Sequence, residues 1–370
     1  MRARDLGIVI GTLPAGPNNA ITDVDGVSVG HTTLIEGDGP LQVGRGPVRT
    51  GVTVVVPNPG SMWKQPLFAG SHRLNGNGEL TGLEWVRESG TLTSPIAITN
   101  THSLGVVRDA LVSAEIGDRG SNTVYWSLPV VGETWDGTLN DINGMHVKPQ
   151  HVFEAFESAS TGPVAEGNVG GGTGMICHDF KGGIGTSSRV LAPEAGGYTV
   201  GVLVQSNYGV RERLSIAGVP VGREIPVEEI PAPEEPSISE AGSIIIVAAT
   251  DAPLLPHQCE ALAQRAGLGV ARMGGAGGHS SGDLFIAFAV GNRGLIGYKE
   301  DDPELTTSIR MLANRHLTPL FEAVIEATEE AITNALVAAE TMVGRDGATA
   351  HALPHDRLVE VMAKYRPVGG

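Results

Sequence analysis

Two stretches of this 370-residue chain carry residues able to do chemistry together. The first is Ala241-Gly242-Ser243, where a serine opens the apolar run Ile244-Ile245-Ile246-Val247-Ala248-Ala249 with no turn signal in between. If the Gly242–Ser243 bond is cut, a free α-amine and a hydroxyl share one residue. An α-amine has a pKa of roughly 8, so near neutral pH it can act as base for its own side chain. Glycine ahead of the serine tolerates the strained backbone through which Oγ must reach the preceding carbonyl. The second stretch, 274–283, reads Gly-Gly-Ala-Gly-Gly-His-Ser-Ser-Gly-Asp. It can bring backbone, hydroxyls and a carboxylate close to a reacting centre. With no Gly-Lys-Ser/Thr after it, it is a poor phosphate cradle, and by itself it reads equally as a capped glycine turn. Gly-Ser pairs also occur at 60–61, 70–71 and 120–121, where the ordinary turn reading holds. Only the pair at 242–243 joins a Pro/Glu-rich segment to a wholly apolar strand.

The elements that must hold these groups alternate along the chain. Short β-branched or apolar runs at 52–56, 96–99, 198–204, 244–249 and 284–290 predict buried strands. Helical spacing predicts helices over 104–116, 152–160, 256–267 and 319–343, the last closed by Gly344. Strands buried on both faces, flanked by apolar-faced helices, point to layered α/β architecture, with a doubly wound single sheet as the rival. Segment 223–241 carries four prolines and six glutamates, which disfavour packed structure and predict an exposed linker.

Bulk properties narrow the function classes. A formal charge of −16 repels a phosphate backbone, so nucleic acid is excluded as a partner. The same acidity suits substrates with a free ammonium group, or simply a solvated surface. The two cysteines, Cys177 and Cys259, form no disulfide framework and suggest a reduced compartment. The longest apolar runs fall far short of the ~20 residues that span a bilayer. These features predict a soluble cytoplasmic protein with no membrane partner.

The chain resembles the self-processing DmpA/BapA aminopeptidases, which include L-aminopeptidase/D-esterases and β-peptidyl aminopeptidases. The resemblance runs through Asn19-Ala20-Ile21-Thr22-Asp23-Val24, Val48-Arg49-Thr50-Gly51-Val52-Thr53 and Asn75-Gly76-Asn77-Gly78-Glu79. It continues in Pro129-Val130-Val131-Gly132-Glu133-Thr134, Gln205-Ser206-Asn207, the Gly242-Ser243 junction and the loop that ends at Asp283. It implies a four-layer α-β-β-α sandwich of the N-terminal-nucleophile-hydrolase type. One structural domain, 1–370, would mature into chains 1–242 and 243–370 that stay interleaved.

The resemblance also assigns roles. Ser243 is the implied nucleophile, with Ser281 and Asp283 orienting its amine and hydroxyl. Asn207 is the implied oxyanion donor, and Glu133 the carboxylate that holds the substrate's ammonium group. Trp135 stands where some relatives carry a tyrosine that lines the site and can donate to the oxyanion, so the indole alters that wall. The implied function is a self-cleaving serine aminopeptidase or amidase. It would release small L-, D- or β-amino acids from peptides, amides or esters with free amino termini, using no cofactor or metal. The heterodimers are expected to form homo-oligomers. Three readings compete. An N-terminal-nucleophile acyltransferase would share the self-cleavage, but those enzymes use threonine. A metal-dependent amidohydrolase would draw on the eleven histidines, which form no tight ligand motif. A binding or scaffold protein would never cut itself.

Overall fold

The computed structural model describes residues 1–120, 122–234, 242–295, 297 and 305–365, the Asp118 side chain apart. In chain order the strands are β1 (Ser28–Glu36), β2 (Val48–Val56), β3 (Leu67–Gly76), β4 (Thr91–Leu92), β5 (Ile96–Asn100), β6 (Val130–Thr134) and β7 (Ile176–Cys177). They continue with β8 (Phe180–Lys181), β9 (Gly183–Val190), β10 (Thr199–Asn207), β11 (Ser243–Thr250), β12 (Gly282–Ala289), β13 (Met342–Val343) and β14 (Thr349–Ala350). The helices are α1 (Leu83–Ser89), α2 (Leu104–Arg119), α3 (Pro149–Glu157), α4 (Val221–Glu224), α5 (Pro256–Arg272), α6 (Thr318–Ala338) and α7 (His355–Tyr365).

Two sheets stack face to face. One has the order β1-β2-β5-β6, the other β4-β3-β12-β11-β10-β9. Strand β11 lies deep in the larger sheet, with every residue buried. Its alternation sorts the run. Ile245, Val247 and Ala249 meet Ile96, Ile98 and Val130 of the smaller sheet, whereas Ile244, Ile246 and Ala248 face Leu262, Ala266, Val324 and Ala331 of α5 and α6. A strand covered on both sides must be apolar at every position, which explains its unbroken run. Helices α2 and α3 cover the outer face of the smaller sheet through Val107, Leu111, Val152 and Ala155. The result is the expected four-layer α-β-β-α sandwich rather than a single doubly wound sheet.

Pairing is antiparallel except where a helix carries the chain back: β5 to β6 through α2, and β11 to β12 through α5. Parallel neighbours require such a crossover.

Several predicted bounds move. Helix α5 runs on through Gly267 to Arg272. A Cβ at Gly269 would lie 2.6 Å from Thr328 Cβ of α6, so this glycine permits close helix contact and does not stop the helix. Helix α6 ends at Ala338, short of Val343, because the Asn168 side chain captures both the N–H and the carbonyl of Glu340. Gly344 consequently belongs to the β13–β14 hairpin, where its N–H donates to the Ala348 carbonyl. Helix α3 starts three residues earlier than the aromatic spacing indicates, with Pro149 in its first turn.

The acidic segment is less free than its composition suggests. Residues 221–224 form α4, Ile225 and Pro233 are buried, and Glu224 and Glu229 pair with Lys364 and Arg357 of α7. Residues 235–241 of the predicted linker lie outside the described residues.

Candidate active site

Strands β10, β11 and β12 are neighbours, and the chemistry gathers at one end of the three. In the antiparallel β10–β11 ladder Asn207 pairs with Ser243; in the parallel β11–β12 ladder Ser243 pairs with Gly282. Directly opposed residues share a face, with Cβ atoms about 5 Å apart. The register therefore aims the Asn207 and Ser243 side chains the same way. The chain is continuous through 242–243, and the Gly242 carbonyl accepts the Gly282 N–H at 3.0 Å. This is the carbonyl that Ser243 Oγ would have to attack, and it already has one donor. A Cβ at Gly242 would lie 3.3 Å from Ser281 Oγ and 3.2 Å from Tyr208 Cα, so a larger residue before the serine would press on both.

Ser281 and Asp283 flank Gly282 and bond to each other, Oγ donating to Oδ1 at 2.7 Å. Burial raises the Asp283 carboxyl above its ordinary range, opposed by bonds from Ser281, Asn75 and the Ile244 backbone. None of those donors is charged, so the carboxylate keeps affinity for a proton or for a cationic amine. The turn after β3 grips this loop: Asn75 Nδ2 donates to the Gly278 carbonyl at 2.8 Å, Asn77 Nδ2 to the Ser280 carbonyl at 2.6 Å, and the Asp283 N–H to Asn75 Oδ1 at 2.8 Å.

Asn207 is pinned by its acceptor end. Its Oδ1 takes the Ile176 N–H at 2.8 Å, which turns the amide N–H2 away as a donor. Glu133 is 3 % exposed; Oε1 accepts the Glu79 N–H at 2.8 Å, and Oε2 accepts the Thr101 hydroxyl. Burial raises its pKa against these two neutral bonds. A Cβ on Gly78 would sit 3.1 Å from both Glu133 Oε1 and Gly282 Cα, so a bare glycine backbone is all that separates this carboxylate from the strand end.

A pocket of about 450 Å³ opens over this end of the sheet, and its walls include Trp135, Asn207, Gly242, Ser281 and Asp283. Five residues singled out in the sequence thus share one cavity. Ser243 sits just behind Gly242, 4 % exposed, and neither it nor Glu133 is on the wall; Glu133 lies against Gly78, which packs on Gly282 between Ser281 and Asp283. Tyr208, Asp179 and Arg213 also line the pocket and were not foreseen. Asn75 and Asn77 belong to a motif that carries the resemblance, and their paired Asn-Gly repeat is a strong turn signal, but the grip on the glycine loop was not foreseen. Nothing comparable marks Asp179 or Arg213.

Among the described residues no three of His, Cys, Asp and Glu converge as a metal ligand set. Burial lowers the imidazole pKa of both His31 and His178 to about 4, and each ring makes a structural bond, to Thr53 Oγ1 and to the Val210 carbonyl respectively. Among the described residues no helix is long and apolar enough to cross a membrane.

Comparison with known proteins agrees with this geometry. The profile of Peptidase family S58 matches residues 19–350. The β-peptidyl aminopeptidase BapA of Sphingosinicella microcystinivorans is 50% identical, over 99% of this chain and 92% of that protein. A Burkholderia sp. β-aminopeptidase structure superposes with a TM-score of 0.92 at 55% identity, covering 98% of this chain and 99% of the other. The L-aminopeptidase D-Ala-esterase/amidase of Ochrobactrum anthropi, described as a prototype serine aminopeptidase and a variant of the Ntn hydrolase fold, gives 0.89 at 43% identity, covering 100% and 99%.

Proposed function

The chain belongs to peptidase family S58, and from that premise we propose that it cuts itself between Gly242 and Ser243 and then works through the exposed Ser243 amine. Its class is that of a serine aminopeptidase with the Ntn-hydrolase fold. In the first step Ser243 Oγ adds to the Gly242 carbonyl carbon, whose oxygen accepts the Gly282 N–H. The Ser243 nitrogen leaves as a free amine, and water then hydrolyses the Gly242 ester. In turnover that amine takes the proton from Oγ as Oγ attacks a substrate carbonyl, and the Asn207 amide donates to the oxyanion. The proton passes to the departing amine, and water then hydrolyses the Ser243 ester to release the amino acid. Ser281 and Asp283 orient the amine, and Glu133 holds the substrate's own ammonium group. The chain's residues and water supply every group in these steps.

The observation that carries this reading is the register, which sets Asn207 and Gly282 on either side of Ser243 with the Ser281–Asp283 pair around Gly282. The names of the relatives support substrates with an amino-terminal β-amino acid, and the D-Ala in the name of the Ochrobactrum anthropi enzyme supports a small one. The buried free cysteines support a cytoplasmic setting, and the family resemblance supports a homo-oligomer of heterodimers.

Intact-mass measurement tests the first step. Wild-type protein should give two fragments, 1–242 and 243–370, and Ser243→Ala a single inactive 38.3 kDa chain. A panel of Gly, L-Ala, D-Ala and β-Ala p-nitroanilides tests the second. Wild-type material that hydrolyses the panel as one unbroken polypeptide overturns the mechanism.

A further inference from the structure

The catalytic pocket does not end at its glycine loop. A second cavity of about 430 Å³ adjoins it, and Arg213 and Gly274 line both. Contact at this seam is close: a Cβ on Gly274 would lie 1.9 Å from the Arg213 carbonyl oxygen, so the loop that leads to Ser281 rests directly on Arg213. Beyond it, the second cavity is walled by Arg223 and Glu212. Arg213 and Arg223 are exposed, and among the described residues neither forms an ion pair. In a chain with a formal charge of −16, two guanidinium groups without an ion pair along one cavity run against the overall field. The pocket's own carboxylates, Asp283 and Asp179, accept neutral donors, the Ser281 hydroxyl and the Arg211 backbone N–H at 2.7 Å, and among the described residues Arg213 is the one cationic residue on that wall. Glu212 shares the second cavity but is likewise exposed to solvent.

We infer that Arg213 is the anchor of a leaving-group subsite for a free carboxylate, so that the enzyme favours short peptides, dipeptides above all, over amides of the same acyl residue. This rests on the proposed assignment of Glu133 as the holder of the substrate amine. With the amine held by Glu133, which is off the pocket wall, the part of the substrate beyond the scissile carbonyl has the pocket to occupy, where Arg213 is the one cationic lining residue among those described. One further residue puts a terminal carboxylate where a guanidinium can take it through two parallel N–H bonds. A longer peptide continues past Arg213 into the second cavity, so the subsite sets a preference and not a limit.

The test compares kcat/KM for β-Ala-Ala and for its C-terminal amide in mature wild-type enzyme and in Arg213→Ala, Arg213→Lys and Arg213→Glu. The acid-to-amide ratio within each enzyme is the readout, because a general loss of activity cancels from it. Wild type should favour the acid, Arg213→Ala should lower the ratio roughly tenfold, the size of one charge-assisted contact, Arg213→Lys should keep part of it, and Arg213→Glu should favour the amide. The effect should lie mainly in KM and shrink with added salt. A ratio that is the same in wild type and Arg213→Ala overturns the subsite while leaving the aminopeptidase reading intact. Failure of the wild type to hydrolyse either compound, or any p-nitroanilide, removes both.

Discussion

Two of the regions that bury carboxylates in this molecule behave in opposite ways. On α6, Glu330 is fully buried but meets Arg189 Nη2 at 2.7 Å, Arg4 Nε at 2.7 Å and Asn19 Nδ2 at 2.5 Å. Burial pushes its pKa up, yet those bonds outweigh it and hold the carboxyl below its ordinary value. At the end of β11 and β12, Asp283 and Glu133 have only neutral donors, and burial wins. The first region uses its charges to tie the N-terminal segment, β9 and α6 together. The second leaves charge affinity unspent, which is what a site awaiting an amine requires.

The contrast can be tested by removing one group from each region. Arg189→Ala, which takes the only ion-pair partner from Glu326 among the described residues and leaves Glu330 with Arg4 and Asn19, should cost about 3 kcal/mol of folding stability in denaturant titration, with hydrolysis per folded molecule little changed. Stability close to wild type would mean that the network is not a keystone. Asn207→Ala should do the reverse. In the oxyanion role proposed for Asn207, its loss lowers kcat by about 10²–10³, roughly 3 kcal/mol, while the lost bond from Ile176 costs only about 1 kcal/mol of stability. Equal losses of rate and stability would erase the distinction between the two regions.

A pH-dependent effect concerns Asp136, buried beside Trp135, whose pKa burial pushes up to about 7 against bonds from Thr50, Asn140 and Asn100. Between about pH 4 and 7 the folded state keeps a proton that the unfolded state releases. The stability from this group is therefore present at low pH and lost as pH rises through 7. Asp136→Asn should remove that slope, which reaches at most about 1.4 kcal/mol per pH unit. Parallel stability curves for wild type and variant between pH 4.5 and 7 would contradict it.

How far the sequence anticipated these features depended on whether one side chain or its neighbours set the outcome. Strand β11 was legible because burial on both faces demands an unbroken apolar run. Strand β9 was not among the predicted strands, because its Thr186, Ser187, Ser188 and Arg189 form no apolar run, yet all are at most 1 % exposed. Their partners, Asn19, Glu326 and Glu330, come from far along the chain, and no local pattern announces them. The same holds at the site. Ser243 is announced by its position at the head of a strand, and Asn207 and Glu133 by resemblance. Arg213 reaches the pocket only because Gly274 packs on it, a contact between residues sixty apart that no spacing encodes.

Strand β11 also works as a ruler. Its side chains alternate between two different apolar layers, so a shift of one residue along either neighbour would turn every isoleucine toward the wrong layer and present Gly242 or Ile244 opposite Asn207. In the proposed self-cleavage the 242–243 bond is thus placed by the eight interior residues of this strand and need not be recognised through those around it. Altering the acidic segment upstream leaves that measurement untouched, whereas adding or deleting a single residue within the strand would misplace the serine altogether.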